Sequence, residues 1–335
     1  MTDALTRQVQ LRRQPQGHVQ ADDFELVEAP LPQLGKGDVL VRNTWMSVDP
    51  YMRLVLTGQE GFVPQKRPGD VMDGAAVGLV EQSNDAALPV GTPVLSTHGW
   101  RSHFVAQGDT LSALPDTDAP LQLHLGLLGL TGITAWLGIE KVLQPNAGET
   151  ILISGASGAV GSVAVQLAKH RGAKILATCS TEEKARWLLD DVGADAVFNY
   201  RTGDLSDFIR KEAPDGLDCY FDNVGGDMLE TAFELMKPYG RIGLCGAISQ
   251  YETENYRSGP PNFFAAIERS LRLEAFNAFL LTPQENAGIA EQLAQLSRSG
   301  AIKSFETVID GLDQAGSAFA ALFEGGFPGK VIISI

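Results

Sequence analysis

The chain has 335 residues, with 26 basic against 41 acidic side chains and a formal net charge of -15. That length accommodates two domains and a large core, and the charge argues against nucleic acid or an anionic membrane as the main partner. No apolar run reaches membrane-spanning length, and the N-terminal MTDALTRQVQLRRQPQ lacks the apolar core of a signal peptide, so a cytoplasmic protein is expected. Cys179, Cys219 and Cys245 are far apart in sequence and the five histidines are scattered, so no metal site is expected.

The first part reads as β-rich. Alternation predicts strands over Thr6–Leu11, Phe24–Glu28, Asp38–Thr44, Val71–Val80, Thr92–Ser96 and Phe104–Ala106, punctuated by Gly and Pro, the pattern of a compact antiparallel barrel. Pro50 opens a short helix within WMSVDPYMRLVL, where Tyr51 either borders a substrate cleft or packs. A glycine-studded helical region follows over Leu121–Leu143.

Glu149 to Ala173 then reads strand, glycine turn, helix. Gly155, Gly158 and Gly161 form GxxGxxG between Ile151–Ile153 and an apolar helical stripe. Bare backbone N–H groups at a helix N-terminus suit a dinucleotide pyrophosphate, although glycines also make ordinary turns. Strands are predicted at Lys174–Thr178, Ala196–Asn199, Leu217–Asp222 and Arg241–Cys245, with helices between them, giving an α/β doubly wound parallel sheet. Leu271–Leu281, LRLEAFNAFLL, alternates and is read as its last long strand, lying at an edge. A helix over Asn286–Ser299, a strand at Phe305–Val308, a helix at Ala315–Glu324 and a final strand at Lys330–Ile335 complete the chain, the terminus returning to the first domain.

The second strand of the sheet ends Thr178-Cys179-Ser180, without the carboxylate that holds the ribose hydroxyls of NAD, and Lys184 follows in STEEK. A neutral strand end with a nearby cation favours NADP, unless Lys184 belongs only to a solvated helix face. Asn223 and the run Cys245–Tyr251 follow later strands and are placed to line the nicotinamide side. Tyr251 could orient the ribose, donate a proton or bind a substrate carbonyl there, or be an exposed loop residue.

The segments MSVDPYMR (Met46–Arg53), GLTGITAW (ending at Trp136), GASGAVGS (Gly155–Ser162), STEEK, VFNY (Val197–Tyr200), YFDNVGG (Tyr220–Gly226), CGAISQY (Cys245–Tyr251) and LRLEAF (Leu271–Phe276) span nearly the whole chain. In them the chain resembles the zinc-independent medium-chain dehydrogenase/reductases, in the branch of prostaglandin/leukotriene reductases, alkenal double-bond reductases and curcumin-reductase-like enzymes. The resemblance implies a GroES-like β-barrel catalytic domain over 1–125 and 303–335, and a Rossmann NADP-binding domain over 126–302. It implies NADPH-dependent reduction of the carbon–carbon double bond of α,β-unsaturated ketones or aldehydes by a homodimer that uses no metal.

By the same resemblance Gly155, Gly158, Ala159, Val160, Gly161, Ser162, Lys184 and Tyr200 hold the phosphates. Asn223, Cys245, Gly246, Ala247, Ile248, Ser249 and Tyr251 lie along the nicotinamide, and Phe276, Asn277 and Ala278 pass close to it. Tyr251, Tyr51 and Asn223 are the catalytic candidates. Two positions depart from the family pattern: Glu268 stands where mammalian and plant members carry a tyrosine, and Phe327 where relatives often carry Asn before xGK. A quinone reductase of the same superfamily, and a non-catalytic NADPH-binding sensor or structural protein, are the alternatives.

Overall fold

The computed structural model describes residues 5–58, 64–115, 119–252 and 259–335. The chain forms two compact units: Met1–Leu125 with Glu306–Phe327 and Val331–Ile335, and Gly126–Phe305 with Pro328–Lys330.

In the first unit β1 (Leu5–Leu11) and β2 (Phe24–Pro30) pair antiparallel along their whole length. A second, seven-stranded sheet is built on β3 (Asp38–Ser47), β4 (Ala76–Ser83), β5 (Pro93–Ser96), β6 (His103–Gln107) and β7 (Ser112–Ala113). The long β3 is its spine. It pairs antiparallel with both β4 and β6, and register shifts at Leu40/Val41 and Asn43/Trp45 bend it, as bulges do at barrel corners. The strand expected over Val71–Val80 starts only at Ala76; before it Val71 and Gly74 make isolated bridges. At Gly74 an added Cβ would press on the end of the Met52 side chain and touch the Ser47 carbonyl.

The second unit contains β8 (Thr150–Ile153), β9 (Lys174–Cys179), β10 (Ala196–Asn199), β11 (Leu217–Asp222), β12 (Met236–Leu244) and β13 (Arg272–Ala275). They lie in the order β10-β9-β8-β11-β12-β13, every pair parallel. Numbered within the unit this is 3-2-1-4-5-6, the dinucleotide-binding order, with its switch point between β8 and β11. All four residues of β8 are buried, because a central parallel strand is covered on both faces.

Helices α1 (Leu130–Trp136), α2 (Ala159–His170), α3 (Glu182–Trp187), α4 (Leu205–Glu212), α5 (Gly226–Leu235), α6 (Phe264–Glu268) and α7 (Pro283–Arg298) belong to this unit. α1 continues as a π-helix to Leu143. The glycines there let large groups approach: a Cβ on Gly138 would strike the rings of Phe221 and Phe276. α7 begins at Pro283, earlier than the expected Asn286, because Thr282 and Glu285 form a reciprocal capping box with Pro at the first helical position.

Leu271–Leu281 is not one long strand. β13 stops at Ala275, Asn277 Oδ1 accepts the Phe279 N–H at 2.9 Å, and Ala278–Leu280 turns into a short 3₁₀ helix. The asparagine side chain offers the backbone a partner that a strand ladder would otherwise supply.

The chain then returns through β14 (Glu306–Asp310), α8 (Ala315–Phe323) and β15 (Lys330–Ser334); β15 joins β3 antiparallel, with β14 beside it. The core of the first unit gathers Phe24, Trp100 and Phe319, ring centroids 5.6 to 6.0 Å apart. Phe319 is fully buried and also meets Phe323 edge-on at 5.5 Å. Phe319→Ala is expected to destabilise this unit by about 3–5 kcal/mol, read by urea unfolding; a loss under about 1 kcal/mol would show that the aromatic cluster is not a stability centre.

Candidate functional site

The glycine turn sits at the C-terminal end of β8, beside the switch point. Gly155 has φ +57°, a left-handed conformation that favours glycine. Its N–H donates to Thr178 Oγ1 at 3.2 Å and that of Ala156 to the Thr178 carbonyl at 3.0 Å, so the turn is pinned to the end of β9. Gly158 is the N-cap of α2. At Gly161 a Cβ would collide with the Gly155 carbonyl and lie 2.6 Å from Ala156 Cα, so the helix rests directly on the turn.

The first-turn N–H groups of Ala159, Val160 and Gly161 have no carbonyl four residues earlier within α2, and they carry the positive end of its dipole. A bare, tight cradle of this kind fits a pyrophosphate. The Gly329 N–H donates to the Ser157 carbonyl at 2.8 Å, which brings the C-terminal PGK segment against the same turn. Phe327 packs instead on the core of the first unit.

The end of β9 carries no carboxylate. Thr181 caps α3, its Oγ1 accepting the Lys184 N–H at 3.2 Å. Lys184 is 7% exposed, and burial lowers the pKa of its ammonium, with the like charge of Arg201 adding to the effect. Such a lysine gains from an anion more than an exposed one does, because less solvent competes. The Tyr200 N–H donates to the Cys179 carbonyl at 3.1 Å, placing Tyr200 and Arg201 beside this corner. Arg201 was not anticipated from sequence; its signal is the adjacency of β10 to β9, which places the residues after VFNY beside STEEK.

The end of β11 meets the end of β12. The N–H groups of Cys245 and Gly246 donate to the Asp222 carbonyl at 2.9 and 3.1 Å, and that of Ile248 to the Asn223 carbonyl at 3.2 Å. Ser249 Oγ donates to the Val224 carbonyl at 2.6 Å. Asn223 Nδ2 donates to the Ser154 carbonyl at 2.7 Å, and its backbone N–H to Ser154 Oγ at 2.9 Å. Asn223 and Cys245–Tyr251 therefore share one edge, next to Gly155, where an added Cβ would lie 3.4 Å from Asn223 Cβ.

Tyr251 Oη accepts the Ala247 N–H at 3.5 Å, and burial raises the phenol pKa above its usual value, so the hydroxyl keeps its proton at neutral pH. Burial likewise pushes the Cys245 thiol up, which keeps it from acting as a thiolate. A cavity of about 850 Å³ opens here, lined among others by Asp222, Gly226, Cys245, Ala247, Gln250 and Tyr251. Neither the glycine turn nor Lys184 lines it.

Phe276 reaches this edge through its backbone, its N–H donating to the Leu244 carbonyl at 3.3 Å just before Cys245. The Phe276 ring packs edge-on against Phe221 at 5.7 Å, Asn277 is spent on the Phe279 N–H, and Ala278 is buried. Glu268 ends α6, its exposed carboxylate 3.6 Å from Arg269. Tyr51 belongs to the first unit, where its ring packs on that unit's core; burial, then Asp49 and Asp73, push its pKa well up. Among the described residues no group of three or more His, Cys, Asp or Glu could hold a metal ion, and no helix is long and apolar enough to cross a membrane.

Residues 7–114 match the family described as N-terminal domain of oxidoreductase, and residues 159–295 the family described as zinc-binding dehydrogenase. Prostaglandin reductase 1 of Oryctolagus cuniculus is 38% identical over 325 residues, covering 96% of this chain and 90% of its own. The NADP(+)-dependent 2-alkenal reductase of Nicotiana tabacum is 35% identical, covering 99% of this chain and 98% of its own. The crystal structure of CurA from Vibrio vulnificus in complex with NADPH superposes with a TM-score of 0.92 at 30% identity, covering 98% of both chains. The chain therefore belongs to the medium-chain dehydrogenase/reductase superfamily, in the branch of prostaglandin reductases, 2-alkenal reductases and curcumin reductases.

Proposed function

We propose that this protein is an NADPH-dependent reductase of carbon–carbon double bonds conjugated to a ketone or aldehyde. The observation that carries the cofactor half is the buried Lys184, with Arg201 near it, at a β9 end that has no carboxylate. The similarity to reductases of alkenals and prostaglandins carries the reaction half.

When bound, the cofactor supplies a hydride to the β-carbon of the alkene. The glycine turn and the α2 N-terminus bind its pyrophosphate, and Lys184, Tyr200 and Arg201 select the 2′-phosphate. Asn223 and Cys245–Tyr251 orient the nicotinamide side. Charge develops on the substrate carbonyl oxygen as the double bond is reduced, and a donor fixed beforehand near that oxygen lowers the barrier most. Tyr251 fits this role, since its raised pKa keeps a hydrogen available and the Ala247 contact uses only its oxygen. The α-carbon proton then comes from Tyr251 or from water. Phe276 and Ala278 support the edge by packing, and Tyr51 serves the substrate-binding domain. The proposed chemistry draws on no metal.

A cytoplasmic homodimer is the form proposed. β13 is the edge strand of its sheet, and Phe264, Ile267, Phe279 and Leu280, on the segments flanking it, are each more than half exposed. An uncovered edge next to apolar side chains is a liability unless paired. Sedimentation at micromolar concentration should give a dimer; a monomer would remove this part of the proposal.

Mixing the pure protein with NADPH and a panel of enals, enones and quinones should consume nicotinamide absorbance and yield saturated carbonyl products. No consumption across the panel would sink the proposal, and a hydroquinone as the sole product would redirect it. In the same assay Tyr251→Phe should slow turnover. Lys184→Ala should weaken NADPH by about 1–3 kcal/mol and leave NADH nearly untouched; equal weakening of both in fluorescence titrations would contradict the 2′-phosphate role.

A further inference from the structure

Ser154 follows β8 and Asp222 ends β11, strands that are neighbours only because the sheet reverses its order between them. Asp222 is 1% exposed, and a single oxygen of it gathers four donors. Oδ1 accepts from Tyr220 Oη at 2.7 Å, from the N–H groups of Val224 and Gly225 at 2.9 Å each, and from Ser154 Oγ at 3.2 Å. Burial pushes the pKa of this carboxyl up, and the same hydrogen bonds oppose that rise. Four donors on one oxygen call for the charged carboxylate, since a neutral acceptor binds each of them more weakly.

The consequence falls on Asn223. Its backbone N–H is held by Ser154 Oγ and its side-chain Nδ2 by the Ser154 carbonyl, so its orientation follows that of Ser154. The next residues turn sharply, with Gly225 at φ +70° and Gly226 at φ +56°, and the two N–H groups bound to Asp222 fix that turn.

We propose that Asp222 is a positioning residue for hydride transfer: through Ser154 and the Val224–Gly225 turn it sets the place of Asn223 on the nicotinamide side of the site. The proposal rests on the NADPH reading given above. Asp222 reaches neither the phosphate corner at Lys184 nor the N–H groups of α2, so its loss should leave cofactor affinity largely intact and impair the chemical step.

The test is Asp222→Asn, which keeps the shape and removes the charge, read by NADPH titration and by turnover of an enone per cofactor-loaded enzyme. The expected result is a fall in kcat of about tenfold or more with the NADPH Kd within about threefold of the parent, as misplacement at a reacting centre predicts. A residue that only stabilised the fold would lower Tm without changing kcat of the loaded, folded enzyme. An unchanged kcat overturns the proposal, and so does a Kd that worsens in step with kcat. Should Asp222→Asn not fold, Ser154→Ala decides. It removes the Oγ that links Asp222 to the Asn223 N–H while the Ser154 carbonyl still accepts from Nδ2, and a fall in its kcat at near-parental Kd supports the proposal, whereas an unchanged kcat overturns it. If the parent protein itself fails to bind NADPH, the cofactor reading is what has failed, and the titration of the parent reveals this before any variant is made.

Discussion

The rest of the nucleotide-binding unit depends on how closely α2 lies on the turn that leaves β8. A single methyl group at Gly161 would meet the Gly155 carbonyl and the Ala156 backbone. Without that approach the first-turn N–H groups would not stand at the C-terminal end of the central strand. The contact also fixes Ser157, whose carbonyl receives the Gly329 N–H, and Gly155, whose own N–H is tied to β9. Three separate parts of the chain are thus registered against one backbone turn. This is the physical content of the third glycine in the motif, and it explains why a helix stripe of valines and alanines follows it: only small side chains permit so near a seat.

Electrostatics in this protein are local. A net charge of -15 would repel a phosphorylated ligand at long range, but exposed charges beyond a Debye length of about 8–10 Å are largely screened. What remains is the immediate field of α2, Lys184 and Arg201. Lys184 is partly desolvated, and that cost makes its charge more responsive to a partner anion. In the proposed reading, selectivity for a 2′-phosphate comes from two features acting together. β9 itself ends in Thr178-Cys179 without a carboxylate, the Glu182 carboxylate beyond it accepting from Asn199 Nδ2 at 2.7 Å, and the buried Lys184 is the cation proposed to meet the extra phosphate.

Sequence patterns reveal those parts of the fold whose determinants are local. The GxxGxxG turn, the alternation of β3 and the apolar run of β8 each carry their own signal within about ten residues, and the alternation of strand and helix reports the parallel sheet. Where the pattern misleads, a polar side chain has taken over the backbone. LRLEAFNAFLL alternates as a strand should, yet Asn277 captures the Phe279 N–H and curls the chain. Thr282 and Glu285 cap α7 before its apolar stripe begins. The Ser154–Asp222 pair is invisible in the sequence for another reason. Its members are 68 residues apart, and only the reversal of strand order makes them neighbours. Arg201 is hidden in a similar way, since only the pairing of β10 with β9 brings it near Lys184.

The chemistry proposed here asks little of any one side chain. Cys245, on the edge it shares with Asn223, is kept a thiol by burial, and the family tyrosine position holds Glu268, exposed beside Arg269. Reduction of a conjugated alkene needs neither a strong nucleophile nor a strong base. It needs the alkene and the hydride donor held at reacting distance, and a donor group near the carbonyl oxygen. A site made mainly of backbone turns, each fixed by a buried partner, meets that demand through rigidity. Glutamate in place of tyrosine at position 268 is then tolerable on physical grounds. A proton can be drawn from Tyr251 or from water, whereas the alignment set by Gly161, Ser154 and Asp222 has no substitute in the solvent.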